Sequence, residues 1–84
     1  MRIVGEIPHP ECRITLLSWN NRYLIKVEQG MFEQTFKINQ FDISDEADLA
    51  RMLDDGFIKE CLSRFEQMSH SLHGALERLW YIHL

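Results

Sequence analysis

Hydrophobic and polar residues alternate along the first half of the chain and recur with helical spacing along the second. Ile3, Gly5 and Ile7 alternate with Val4 and Glu6, and Pro8-His9-Pro10 ends that strand because proline has no N–H to give a ladder. A second strand is expected over Cys12–Trp19, a third over Arg22–Glu28 and a fourth over Met31–Ile38. Asn20-Asn21 and Gln29-Gly30 are expected to head the two hairpins between them, since both pairs tolerate positive φ.

The register implied by these turns is self-consistent. Around Asn20-Asn21, Leu16 faces Ile25, Ile14 faces Val27, Leu17 faces Leu24, and Arg13 meets Glu28. Around Gln29-Gly30, Val27 faces Phe32, Tyr23 faces Phe36, and Lys26 meets Glu33. A one-residue slip exposes the whole apolar set, so register and buried face are specified together. One face then carries Ile14, Leu16, Tyr23, Ile25, Val27, Phe32, Phe36 and Ile38. The other carries Arg13, Thr15, Lys26, Glu28, Glu33, Thr35 and Lys37.

In the second half, Ser44 is the expected N-cap of a short helix. Asp45, Glu46 and Asp48 suit its dipole, and Leu49, Met52 and Leu53 form its apolar stripe. Asp54-Asp55-Gly56 interrupts that stripe, with Asp55 the expected cap of a second helix. That long helix, from Phe57 to about Ile82, carries the stripe Ile58, Cys61, Leu62, Phe65, Met68, Leu72, Leu76, Leu79, and Gly74 weakens it without forbidding it. The expectation is one α+β domain over residues 1–84: a three- or four-stranded antiparallel meander covered on one face by a long C-terminal helix, with a short helix before it. A helix of that length outruns seven- or eight-residue strands. Leu72, Leu76, Leu79, Trp80, Ile82 and Leu84 are therefore expected to overhang the sheet and to need a cover, which a homodimer supplies; the competing arrangement bends the chain near Gly74 and folds the tail back on its own sheet edge.

Composition and charge narrow the function classes. The chain has 84 residues and a net charge of −4. Residues 1–41 carry five basic and four acidic side chains, and residues 42–84 carry four basic and nine acidic. No clustered positive charge appears along the chain, so nucleic acid is not expected as the partner; stacking on Trp19, Arg22 and Tyr23 is the one feature in its favour. No apolar run is long enough to span a membrane, and Met1-Arg2-Ile3-Val4-Gly5-Glu6 has no export-signal pattern, so a cytoplasmic location with reduced Cys12 and Cys61 is expected.

Catalytic signatures are missing. No nucleophile elbow, phosphate loop or dinucleotide fingerprint occurs. The acidic residues Asp42, Asp45, Glu46, Asp48, Asp54 and Asp55 lack the spacing of a calcium loop and suit helix starts instead. His70 and His73 share a helix face with Glu66 and Glu77, and His9 lies three residues from Cys12, but neither set completes a zinc site. No cofactor or metal is expected. What remains is apolar surface: the overhanging helix, and Leu17, Trp19 and Leu24 on the polar sheet face, rimmed by Arg13, Arg22, Lys26 and Glu28, which form either a contact patch or a site covered by the loop after Ile38 or by the first helix. A homodimeric, non-catalytic protein-interaction module is the leading expectation. A small-ligand or metal-assisted enzyme using His9, His70 or His73 between helix and sheet is the alternative.

The segments IPHPECRIT (7–15), WNNRYLIKVEQG (19–30) and EQTFKI (33–38) resemble a family of small bacterial proteins with no assigned function. The resemblance covers the N-terminal half. It implies a strand-rich start and one C-terminal helix in a bacterial cytoplasmic protein, and it brings no site residues.

Overall fold

The computed structural model describes residues 1–82. Four strands, β1 (Arg2–Ile7), β2 (Arg13–Trp19), β3 (Arg22–Gln29) and β4 (Phe32–Asn39), form one antiparallel sheet in the order β1-β2-β3-β4. After them come a 3-10 turn (Gln40–Asp42), a short helix α1 (Ala47–Met52) and a long helix α2 (Asp55–Ile82).

The first central hairpin has the expected register. Arg13 pairs with Glu28, Ile14 with Val27, Leu16 with Ile25 and Leu17 with Leu24, around Asn20 and Asn21, both at positive φ. The second hairpin differs. Its turn is Gly30-Met31, not Gln29-Gly30, so Phe32 pairs with Gln29, Phe36 with Ile25 and Ile38 with Tyr23. Gly30 has φ 59° and Met31 does not enter the positive region, the pattern of a turn whose first central residue is glycine. Starting the loop at Gln29 would have placed a residue with a Cβ where glycine is favoured. Lys26 therefore pairs with Thr35, and Glu28 meets Glu33. The shift is two residues, so every side chain keeps its face.

β1 carries a bulge between Ile3 and Gly5: Ile3 pairs with Leu17, while Gly5 pairs with Leu16. The extra residue breaks the strict alternation, so Val4 and Ile7 pack against the core and Ile3 stays exposed on the opposite face.

The core combines Ile14, Leu16, Tyr23, Ile25 and Val27 from the sheet with Leu49 and Leu53 from the α1 region and Ile58, Cys61 and Phe65 from α2. Both helix starts depart from expectation. Ser44 does not cap α1; Asp45 Oδ1 accepts the Ala47 N–H at 3.0 Å instead. Asp54, not Asp55, caps α2, its Oδ1 accepting the Phe57 N–H at 2.9 Å.

α2 runs back along β4 as one helix through Gly74. Phe57 meets Phe36 edge-on at 5.1 Å, and the Gln34 side-chain amide donates to the Cys61 carbonyl at 2.8 Å. The helix has 28 residues, about 42 Å, against about 27 Å for an eight-residue strand. It passes the Gly30-Met31 turn near Leu72 and projects beyond it. The radius of gyration is accordingly 16.0 Å, where a spherical domain of this length has about 12 Å.

Two glycines test this architecture in opposite directions. Gly30→Ala meets no neighbouring atom, so its cost is the left-handed backbone alone, and urea unfolding should register a loss of about 1–2 kcal/mol. Gly74→Ala places its Cβ at ordinary contact distance from Arg78 and should raise far-UV helicity and slow amide exchange over the projecting turns. An unchanged midpoint for the first, or reduced helicity for the second, contradicts the turn or the continuous helix respectively.

Candidate functional site

Two surfaces hold the residues singled out from the sequence. On the helix overhang, Leu72, Leu79 and Trp80 are 49%, 50% and 52% exposed, Leu76 is partly covered, and Tyr81 is exposed. Leu84 and the side chain of Ile82 lie outside what the structure describes. At the base of the overhang, between the Gly30-Met31 turn and α2, an open groove is lined by Met31, Phe32, Phe65, His70, Leu72 and His73 among others. Met31 is 98% exposed there. No periodicity flags Met31 as surface, because its placement depends on the turn starting at Gly30.

The second surface is the sheet face turned away from the helices. Here the expected exposed cluster is corrected. Leu17 and Leu24 are only 7% and 6% exposed, and Trp19 alone of the three stands out from the surface. Neither the 3-10 turn nor α1 covers them, since both bind the other side: Gln40 donates through Nε2 to Ser18 Oγ at 2.9 Å, and Leu49 joins the core. Leu17 and Leu24 lie in one cross-strand row with Ile3 and Lys37, where neighbouring strands crowd each side chain from both sides.

The titratable groups do not converge. His9 sits in the β1–β2 loop, its Nδ1 accepting the Glu11 N–H at 3.1 Å, in a hollow it shares with Glu6, Cys12 and Arg13. His70 and His73 line the separate groove beside α2. His73 Nε2 lies 3.1 Å from Glu77 Oε1 and its ring meets Trp80 edge-on, so these neighbours lie one and two helical turns along α2. The acidic residues are dispersed: Glu46 pairs with Arg2, Asp48 with Arg51, and Asp45 and Asp54 accept backbone N–H groups at the starts of α1 and α2. Among the described residues no three His, Cys, Asp or Glu side chains gather as a metal site.

Both cysteines are free thiols held by the core, Cys61 fully buried and Cys12 partly. Burial pushes both thiols up from their ordinary range, which opposes the thiolate a nucleophile or metal ligand requires. Gln34, a polar residue on the otherwise apolar face, leaves its Oε1 without a partner while its amide nitrogen ties β4 to α2.

No family model, curated protein or solved structure matches the chain. No described helix is long and apolar enough to cross a membrane.

These environments set two chemical expectations. Because the folded thiols are held protonated, the stability they contribute is complete below the unfolded thiol range and declines as pH rises through it toward the raised folded values. Iodoacetamide at neutral pH should therefore modify Cys61 only at the rate of unfolding, and fast labelling in the native protein contradicts its placement. Purified protein should carry far less than one zinc per chain; a stoichiometric zinc lost on His70→Ala with His73→Ala overturns this.

Proposed function

We infer that this chain is a non-catalytic protein-interaction module that pairs with a second copy through the overhanging part of α2. The observation that carries this reading is the apolar stripe of α2, which continues past the end of the sheet. Phe65 and Met68 pack on the sheet, Leu72 lies beside Phe32 at the end of β4, and Leu76 and Leu79 prolong the same face beyond it. A two-fold axis near Leu76 with the helices antiparallel places Trp80 of one copy against Leu72 of the other, beside the groove at Met31 and Phe32. Parallel pairing buries the stripe too, but leaves that groove and Met31 open. The antiparallel arrangement is therefore preferred. Closed two-fold pairing is also the commonest form of soluble oligomer.

Magnitudes place this association in a concentration-dependent range. Leu72, Leu79 and Trp80 are already half covered within one chain. Pairing thus recovers roughly half of ~1.5–3 kcal/mol for each, on the order of 5–9 kcal/mol over both copies as an upper figure. Association costs are of the same order, ~4–15 kcal/mol. Trp80 is the expected anchor, since aromatic residues dominate interface energetics.

The enzyme reading has less support. His9 and the His70–His73 pair occupy different hollows, so the three histidines cannot act together in one catalytic site.

Light scattering across a concentration series tests the pairing. The mass should rise toward twice the 10.0 kDa of one chain at high micromolar concentration, and Leu76→Asp with Trp80→Ala should hold it at the single-chain value with the sheet intact. A single-chain mass for the unmodified protein throughout the series excludes the dimer.

A further inference from the structure

We propose that the sheet face opposite α2, around Trp19, Arg22, Lys26 and Lys37, docks an acidic and partly apolar segment of a partner protein. This rests on the interaction-module reading and deepens it by naming the partner's chemistry. It does not depend on the dimer, because the surface lies on the other side of the sheet from α2.

Strand pairing adds Lys37 of β4 to Arg22 and Lys26, which share one face of β3. Arg22 pairs with Trp19 on β2 and Asn39 on β4, Leu24 with Lys37, and Lys26 with Thr35. Directly opposed residues share a face, and diagonal neighbours lie ~7–8 Å apart. Lys37 is therefore diagonal to both Arg22 and Lys26, and the three cations form one triangle. Ion pairs among the described residues join Arg2 to Glu46, Arg13 to Glu6, Arg51 to Asp48, Arg64 to Glu60 and His73 to Glu77. None engages a member of the triangle. A chain of net charge −4 thus presents three unpaired cations together on one half of one face.

Apolar surface accompanies the charge. It is supplied by the exposed Ile3 and Trp19, which flank the enclosed Leu17 and Leu24. This combination matches a segment that alternates carboxylates with aliphatic or aromatic side chains: the acids meet Arg22, Lys26 and Lys37, and the apolar side chains lie against Ile3 and Trp19. A nucleic acid strand fits less well. The same face carries Glu28 and Glu33 toward the Gly30-Met31 turn, where a continuing phosphate backbone meets like charge, and three cations give only a small counterion-release term. A peptide can change sign along its length, and a phosphate backbone cannot.

The test uses the full chain carrying Leu76→Asp and Trp80→Ala, in which Trp19 is the one remaining indole and the overhang's own apolar contacts are removed. It is titrated with a short peptide alternating Asp with Phe and Leu, with the same peptide bearing Asn for Asp, and with a short oligothymidylate. The expected result is a Trp19 emission shift and amide shift changes confined to the outer face around residues 3, 17–26 and 37. Binding should weaken with added salt and with Asn for Asp, and fall at least about tenfold in Arg22→Glu with Lys37→Glu while the far-UV spectrum is unchanged. Peptide binding should match that of the unmodified chain, so failure of the dimer leaves this result standing. Equal binding of the Asn peptide, shift changes centred on α2, or no change at these amides overturns the proposal. Tighter binding of oligothymidylate than of the acidic peptide reassigns the face to nucleic acid and overturns it as well.

Discussion

The packing of Ile58, Cys61 and Phe65 from α2 onto Ile14, Ile25 and Val27 of the sheet is the contact on which the molecule depends. A single antiparallel sheet with one apolar face is unstable until that face is covered, and a chain of 84 residues has one long helix to cover it. α1 extends the cover through Leu49, which is fully buried although its helix is only six residues long. Loss of any of the central side chains would leave a cavity with no second layer to collapse into it, so truncations such as Phe65→Ala fall in the costly range of ~3–5 kcal/mol.

The direction of α2 is set by a few contacts along β4. Phe36 against Phe57 holds the start of the helix, and the Gln34 amide on the Cys61 carbonyl holds the next turns. Both lie on the edge strand, so the helix runs parallel to the strand axis and leaves the sheet at the β3–β4 turn. The unpartnered Gln34 Oε1 is the polar cost of this crosslink, a buried acceptor of the kind that carries a penalty of ~1–3 kcal/mol. Once the helix is aligned in this way its excess length has one place to go. The projecting stripe and the bare outer sheet face are two consequences of the same alignment, one at the end of the core and one behind it.

Much of this was legible from residue spacing. The meander, the buried face, the apolar stripe of the long helix and the core position of Cys61 are set by periodicity and turn chemistry, whereas the unbroken passage of that helix through Gly74 is a finding of the structure. The second hairpin shows why even a misplaced turn did little damage. Moving it from Gln29-Gly30 to Gly30-Met31 shifts the pairing by two, and a period of two restores every side chain to its face. The same shift changes the charge pairs, exchanging Lys26–Glu33 for Lys26–Thr35 and bringing Glu28 opposite Glu33. The outer-face cluster was legible only in part. Trp19 is exposed as its strand position implies, whereas Leu17 and Leu24 are enclosed by neighbours from other strands that no local pattern identifies.

The amino-acid sequence by itself determined the four strands and two helices, the faces of β2, β3 and β4, and the apolar stripe of the last helix. All three are set by local backbone preference and by periods of two and 3.6, which a linear reading can count. Only the tertiary structure decided which elements touch. The bulge that turns Ile3 outward, the Gly30-Met31 register, the line of α2 along β4 and the gathering of Arg22, Lys26 and Lys37 each depend on contacts between residues distant in the chain. Those contacts are selected by competition for one small apolar face and by the geometry of cross-strand neighbours, and neither quantity exists until the strands are paired.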